Sequence, residues 1–185
     1  MLLTSYAELA KTVRKYKKQN PDSIVGCVGG VFDLFHIGHA TVLAECRRKC
    51  DFLIVLVMPD SVVKKAKGDG RPVVVELDRA KIVSKNSDCT AVIIGSRKTD
   101  ADFMKNVQID KVFLAHEHIH KKPEYAKIFP GAKIAMLNKR ENESEISTSA
   151  IIKKILLSQS PKLPERRLSW TEENNRAGAK GISLA

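Results

Sequence analysis

"VGGVFDLFHIGHATVL", residues 28–43, decides how this chain is read. An apolar run ends in Gly29-Gly30, a Phe-Asp pair follows, and two histidines, His36 and His39, open a helical pattern. A spacing of three puts both imidazoles on one side of a single helical turn. Residues 24–28 read as a short buried strand. A glycine pair at the end of a strand lets backbone approach a ligand closely and turn N–H groups toward it. An ordinary tight turn has the same composition. The stretch carries neither the dinucleotide fingerprint nor the Walker A pattern, so neither of those nucleotide sites is supported. Unbonded N–H groups at a helix N-terminus attract phosphate, and imidazoles placed there donate to phosphate oxygens. Zinc is the other ligand that two histidines suit, although no third ligand stands nearby.

Outward from this stretch, strands and helices alternate. Residues 5–18 read as a helix with Tyr6, Leu9, Val13 and Tyr16 on one face, a Ser5/Glu8 capping box at its start and Asn20-Pro21-Asp22 breaking it. Strands are predicted at 24–28, 52–58, 90–95, 111–115 and 132–137. Helices are predicted from 36 or 38 to 49, and at 60–67, 76–85, 100–106 and 147–157, the last with Ser147 as N-cap. "FLIVLVM", residues 52–58, is continuous and rich in β-branched side chains, as in a parallel strand covered on both faces. The alternation predicts an α/β, Rossmann-like, doubly wound domain with a five-stranded parallel sheet. The expected organisation is an N-terminal helix (1–22), the main domain (23–158) and a flexible C-terminal tail (159–185), where periodicity gives way to prolines, glycines and mixed charge.

The 185 residues are 43% hydrophobic and 29% charged, which suits one domain with a core and a soluble surface. No apolar run reaches membrane-spanning length, and charges interrupt the N-terminal apolar residues, so a cytoplasmic address is expected. The four cysteines form no C-x-x-C pair and are expected as reduced thiols. A net charge of +11 points to anionic partners. The basic residues are spread along the chain and aromatic content is 5%, so phosphorylated small molecules are expected rather than nucleic acid or a membrane. His116, His118 and His120 in "HEHIH" would share a face if extended, which suits a metal, a polar strand end beside a phosphate pocket, or a solvated loop.

"GGVFDLFHIGH" resembles the HxGH signature of the nucleotidyltransferase superfamily, which includes cytidylyltransferases and adenylyltransferases. "KGDGRPVV", residues 67–74, followed by Arg79, and "STSAIIKKI", residues 147–155, are similar in order and spacing to segments of bacterial heptose 1-phosphate adenylyltransferases. The likeness runs from about residue 24 to 157. It implies attack by a substrate phosphate on the α-phosphorus of a nucleoside triphosphate with loss of pyrophosphate, a reaction that needs positioning and charge neutralisation. It implies catalytic roles for His36, His39, Lys64 and Lys67. Nucleotide contacts are implied for Gly29, Gly30, Val31, Phe32, Asp33, Arg79, Ser147 and Thr148, with loop fixing an equal role for Asp33. Acceptor contacts are implied for Arg71, Glu117 and His118.

The resemblance also implies Mg²⁺ carried with the triphosphate, no all-protein metal cage, and a homodimer. ATP with a heptose-type sugar 1-phosphate is the favoured pair. CTP with glycerol 3-phosphate or a similar phosphoalcohol, adenylyl transfer to flavin mononucleotide, and non-catalytic nucleotide binding are the other readings. Two stretches depart from the pattern. "AHEHIHKKPE", residues 115–124, replaces a Gly-Gly-Asp-Tyr-like segment, and "NKRENESEIST", residues 138–148, replaces an Arg-Thr-Glu-Gly-like one, with Arg140 displaced. Base and acceptor choice rest on them.

Overall fold

β1 (Val25–Gly30) and β2 (Phe52–Val57) are almost wholly apolar, and both are buried along most of their length. They pair in parallel from Val25 opposite Phe52 to Gly30 opposite Val57. The computed structural model describes residues 1–95, 106–138 and 146–159. Among these, β3 (Ala91–Ile94), β4 (Lys111–Leu114) and β5 (Lys133–Met136) complete a parallel sheet in the order β3-β2-β1-β4-β5. This is the doubly wound arrangement that the alternating pattern predicts, with β1 at the centre where the strand order reverses.

Strand alternation divides the core into two layers. Phe52 and Ile54 join Val25, Cys27, Leu9 and Val13 on one face of the sheet. Leu53, Val55 and Val57 join Leu43, Cys46, Ala80 and Val83 on the other. The first layer is covered by α1 (Tyr6–Gln19), capped by Ser5, whose hydroxyl accepts from the Glu8 N–H. The second is covered by α2 (Ile37–Arg47) and α4 (Glu76–Ser84). At the foot of the sheet, Lys17 donates to Asp110 at 2.8 Å, and Asp110 accepts from the Val25 N–H, which ties α1 to the starts of β1 and β4. Burial pushes the thiol of Cys50 up to about 11 and that of Cys89 up to about 12, so both are inert packing groups.

Residues 1–151 form one compact unit that includes α1. The final helix, α6 (Thr148–Gln159), opens in this unit. The second unit is Ile152–Ala185, helical through Gln159. The expected helix at 100–106 falls almost wholly on residues outside the described ones, as do Arg140 and the expected tail beyond residue 159. One stretch folds differently from expectation. "HEHIHK" is a 3-10 turn (His116–Lys121), followed by α5 (Lys122–Ile128) with Pro123 in its first turn. The segment is not extended, so the condition for a face shared by His116, His118 and His120 is not met; the turn breaks at His118, whose ring meets that of His120 edge to face at 6.2 Å.

Gly26 marks the tightest packing in β1. A Cβ there would lie 2.6 Å from the Phe113 ring and 2.7 Å from Cys50 Sγ, both buried. Gly26→Ala is expected to cost about 1–3 kcal/mol through overpacking, read as a fall in the urea midpoint at unchanged slope.

Candidate active site

The loop after β1 is held in an unfavourable backbone shape. Phe32 (φ 55°) and Leu34 (φ 44°) both lie in the left-handed region, at about 1–3 kcal/mol each. Asp33, between them, supplies the compensation. Its carboxylate is 1% exposed and accepts from the N–H groups of Val73 and Val74 and from Arg71 Nε. Its carbonyl accepts from Thr148 Oγ1 at 2.8 Å. One residue thus joins the β1 loop, the segment after α3 (Asp60–Lys67) and the start of α6. Burial pushes the Asp33 carboxyl up, but the Val74 and Val73 amides and Arg71 outweigh it and hold it below the ordinary carboxylate range.

Arg79 forms the next tier. It is fully buried, and four of its five N–H groups donate to the carbonyls of Val74, Val31 and Met58 and to Asp60 Oδ1. Asp60 and Glu76 each accept the other's backbone N–H, which locks α3 to α4. Asp33 and Arg79, expected at the nucleotide, therefore stand behind the cavity wall and shape it. Arg79 shares the inward side of α4 with Ala80 and Val83, a signal of burial that the sequence carries.

In front of this frame, a cavity of about 280 Å³ opens at the carboxyl ends of β1 and β4. Gly29, Gly30, Val31 and Phe32 line it, with His36 and His39 at the start of α2. The two rings stack at 3.9 Å with 27° between planes. His36 is the N-cap of α2, and its Nδ1 accepts from the Gly38 N–H at 3.1 Å. His39 Nδ1 accepts from the His36 N–H at 3.4 Å. A nitrogen that accepts carries no proton, so the neutral rings hold theirs on Nε2. The phenyl rings of Phe32 and Phe35 flank His39 at 5.3 and 5.5 Å. The result is two oriented N–H donors at a helix N-terminus, the arrangement suited to an anion.

Lys67, Glu117, His118, Ser147 and Thr148 line the same cavity. Burial and the neighbouring Arg71 guanidinium push the Lys67 amine below its ordinary range. Ser147 Oγ caps α6 by accepting from the Ala150 N–H, and the Thr148 proton is committed to Asp33. Lys64 is not brought in: it is exposed and paired with Asp69 at 2.9 Å. The reason is helical phase, since Lys67 lies four residues after the buried Val63 while Lys64 is turned away. Arg71 lies beside the cavity, bonded to Asp33 through Nε and to Ser149 through Nη1. Val42, Phe113, Leu137 and Ile146 give the cavity an apolar end that sequence reasoning missed. They read as ordinary core residues, and only the place of Phe113 and Leu137 near the ends of β4 and β5 hints at more. Among the described residues, no three His, Cys, Asp or Glu side chains gather to hold a metal.

The family model described as cytidylyltransferase-like matches residues 27–154. The chain is 36% identical over 103 residues to the bifunctional protein HldE of Gluconacetobacter diazotrophicus, covering 56% of this chain and 21% of that protein. It is 33% identical over 129 residues to the protein of the same name from Helicobacter pylori, covering 68% of this chain and 26% of that one. It thus spans about a fifth to a quarter of the length of these curated relatives. Among solved structures, the lipopolysaccharide core biosynthesis protein of Thermoplasma volcanium aligns with a TM-score of 0.56 at 25% identity, covering 64% of this chain and 99% of that one. The pantoate-beta-alanine ligase of Francisella tularensis, at a TM-score of 0.58 and 11% identity over 83% of this chain and 72% of that one, shares the fold.

The Asp33 clamp has a pH signature. Its folded value is depressed, so its stabilisation is complete above the unfolded value near pH 4 and is lost as pH falls through the folded value. Asp33→Asn is expected to cost about 1–3 kcal/mol at pH 7. In urea denaturation, the gap between wild type and variant should close as the pH is lowered from 5 toward 2.

Proposed function

This chain belongs to the cytidylyltransferase-like family, and from that membership and its cavity we propose that it is a nucleotidyltransferase. It transfers a nucleoside monophosphate from a triphosphate to a phosphorylated small molecule. The observation that carries this reading is the stacked imidazole pair on the cavity wall at the start of α2, each Nδ1 engaged with backbone. An oxygen of the acceptor phosphate forms a new bond to the α-phosphorus. The bond from that phosphorus to the bridging oxygen breaks, and pyrophosphate leaves with the electron pair. The acceptor oxygen is already anionic, so no protein base is required.

The chain's task is therefore to position and to neutralise. His36 and His39 donate to the triphosphate and gain strength as negative charge moves toward the departing pyrophosphate. Lys67 adds a cation from α3, and the first turn of α6 adds N–H groups. The apolar end formed by Val42, Phe113, Leu137 and Ile146 accepts the base. Magnesium comes as part of the triphosphate substrate, held by phosphates and water.

ATP and a heptose-type sugar 1-phosphate are the proposed pair, supported by the likeness of residues 67–74 and 147–155 to heptose 1-phosphate adenylyltransferases and by the HldE relatives. CTP with a phosphoalcohol is the second reading, favoured by the family description. The reading includes a cytoplasmic address and a homodimer. No helix among the described residues is long and apolar enough to cross a membrane.

Pyrophosphate release with Mg²⁺, ATP or CTP and a panel of phosphorylated acceptors tests the proposal. One pair is expected to turn over, and His36→Ala with His39→Ala is expected to slow it by on the order of 10²–10³-fold. No turnover with any pair, or an unaffected double variant, contradicts it. Gly29→Ala offers a cleaner probe of binding, since a Cβ there meets no protein atom nearer than 4.0 Å. Its melting temperature is expected to hold while ATP binding weakens at least tenfold in calorimetry.

A further inference from the structure

Among the described residues, the buried polar or charged side chains are Asp33, Arg79, Thr148 and Glu45. The first three make the frame behind the cavity. Glu45 belongs neither to that frame nor to the cavity lining. It lies on the second half of α2 and is 7% exposed. A carboxylate taken out of water needs partners. Lys49 Nζ donates to its Oε1 at 2.6 Å, and the backbone N–H of Asn138 donates to the same atom at 3.2 Å. The lysine alone does not account for the burial. Lys49 stands one turn further along the chain and is 37% exposed, and a pair of this spacing forms on a helix surface without burying its carboxylate. The bond to Asn138 is the long-range one, and it joins α2 to the exit of β5.

That exit needs a tether. β5 is a four-residue edge strand, exposed at Lys133 and half-buried beyond it, with β4 beside it in the sheet. Past its last residue, the Leu137 N–H donates inward to the Leu114 carbonyl at 2.9 Å, and the next N–H, that of Asn138, donates to Glu45. Leu137 lines the apolar end of the cavity. Val42 lines it too, three residues before Glu45 and beside it on α2. One carboxylate therefore links two walls of that end which come from different elements. We propose that Glu45 is a positioning residue for the nucleotide base: its bond to the Asn138 N–H holds Leu137 in place relative to Val42 and so sets the width of the apolar end. Glu45 itself touches no nucleotide. The role rests on the nucleotidyl-transfer reading, in which that end takes the base. The triphosphate end, with the β1 glycines, His36, His39 and Lys67, is shaped by the Asp33 frame and does not depend on this bond.

Substitutions separate the two partners of Glu45. Glu45→Met keeps the length and helix propensity of the side chain but removes the acceptor. Asn138→Pro removes the same bond from the donor side and leaves α2 untouched. Glu45→Gln keeps an oxygen that accepts from Asn138 and loses the charge that pairs with Lys49. Lys49→Met removes the ion pair and leaves the Asn138 bond. Glu45→Met and Asn138→Pro act on opposite sides of the bond, so either one that folds carries the test.

Calorimetry on the full chain with Mg²⁺ tests this, using a non-hydrolysable ATP analogue and inorganic tripolyphosphate, which has no base. Glu45→Met and Asn138→Pro are expected to weaken the analogue about fivefold, the size of one hydrogen bond, and to leave tripolyphosphate within about twofold of wild type. Glu45→Gln and Lys49→Met are expected to bind both probes as wild type does. Hydrogen exchange should find the Asn138 amide protected in wild type and unprotected in Glu45→Met. An equal loss for both probes, no loss for the analogue, a loss in Lys49→Met as large as in Glu45→Met, or an Asn138 amide that stays protected in Glu45→Met overturns the role. Pyrophosphate release is measured separately on the same samples. The expected binding pattern without release from any acceptor contradicts nucleotidyl transfer and leaves the role of Glu45 standing. Release by wild type and Glu45→Met at the same nucleotide KM does the reverse. A wild type that binds neither probe overturns both.

Discussion

The carboxylate of Asp33 holds apart two residues that the backbone would not otherwise keep in the left-handed region. It does so by accepting three N–H groups from the 71–74 segment while its carbonyl receives the Thr148 hydroxyl. Three pieces of chain distant in sequence meet at this one buried charge. The glycines of β1, the histidines of α2, Lys67 and the α6 start take their places around the cavity because of it. Arg79 extends the same frame one layer deeper, spending its donors on carbonyls of the β1, β2 and pre-α4 loops. Buried charge is expensive, and here both charges are almost fully bonded, which is how a site built on loops acquires the rigidity of the sheet beneath it.

The parallel sheet was legible because β1 and β2 are buried on both faces and read as unbroken apolar runs. The ligand end followed from the glycines and histidines falling just past the first strand. Other features were not legible for definite reasons. Asp33 and Arg79 are polar residues in a motif that attracts functional readings, and their partners are backbone groups, which no sequence pattern marks. Lys64 and Lys67 look alike in a basic run, and only helical phase against Val63 separates the one in the cavity from the one in solvent. "HEHIHKKPE" lacks apolar periodicity, so its 3-10 turn and α5 escaped notice although Pro123 marks a helix start.

The imidazole pair joins fold to chemistry. Capping α2 requires an acceptor at His36 and a reciprocal acceptor at His39, and the Nδ1 atoms meet both demands. The same bonds fix the tautomer, so a structural need of the helix terminus sets the proton on Nε2, the nitrogen that the proposed function turns to phosphate. Under the proposed function, local helix capping and phosphate recognition are one arrangement rather than two.

That claim is open to direct observation. Long-range ¹H–¹⁵N NMR of the protein labelled at histidine nitrogen reports which ring nitrogen is protonated. The account predicts the Nε2–H form for both His36 and His39 without ligand, and a shift of both Nε2 resonances when ATP is added. An Nδ1–H form at either residue, or resonances that ATP leaves unmoved, would contradict it.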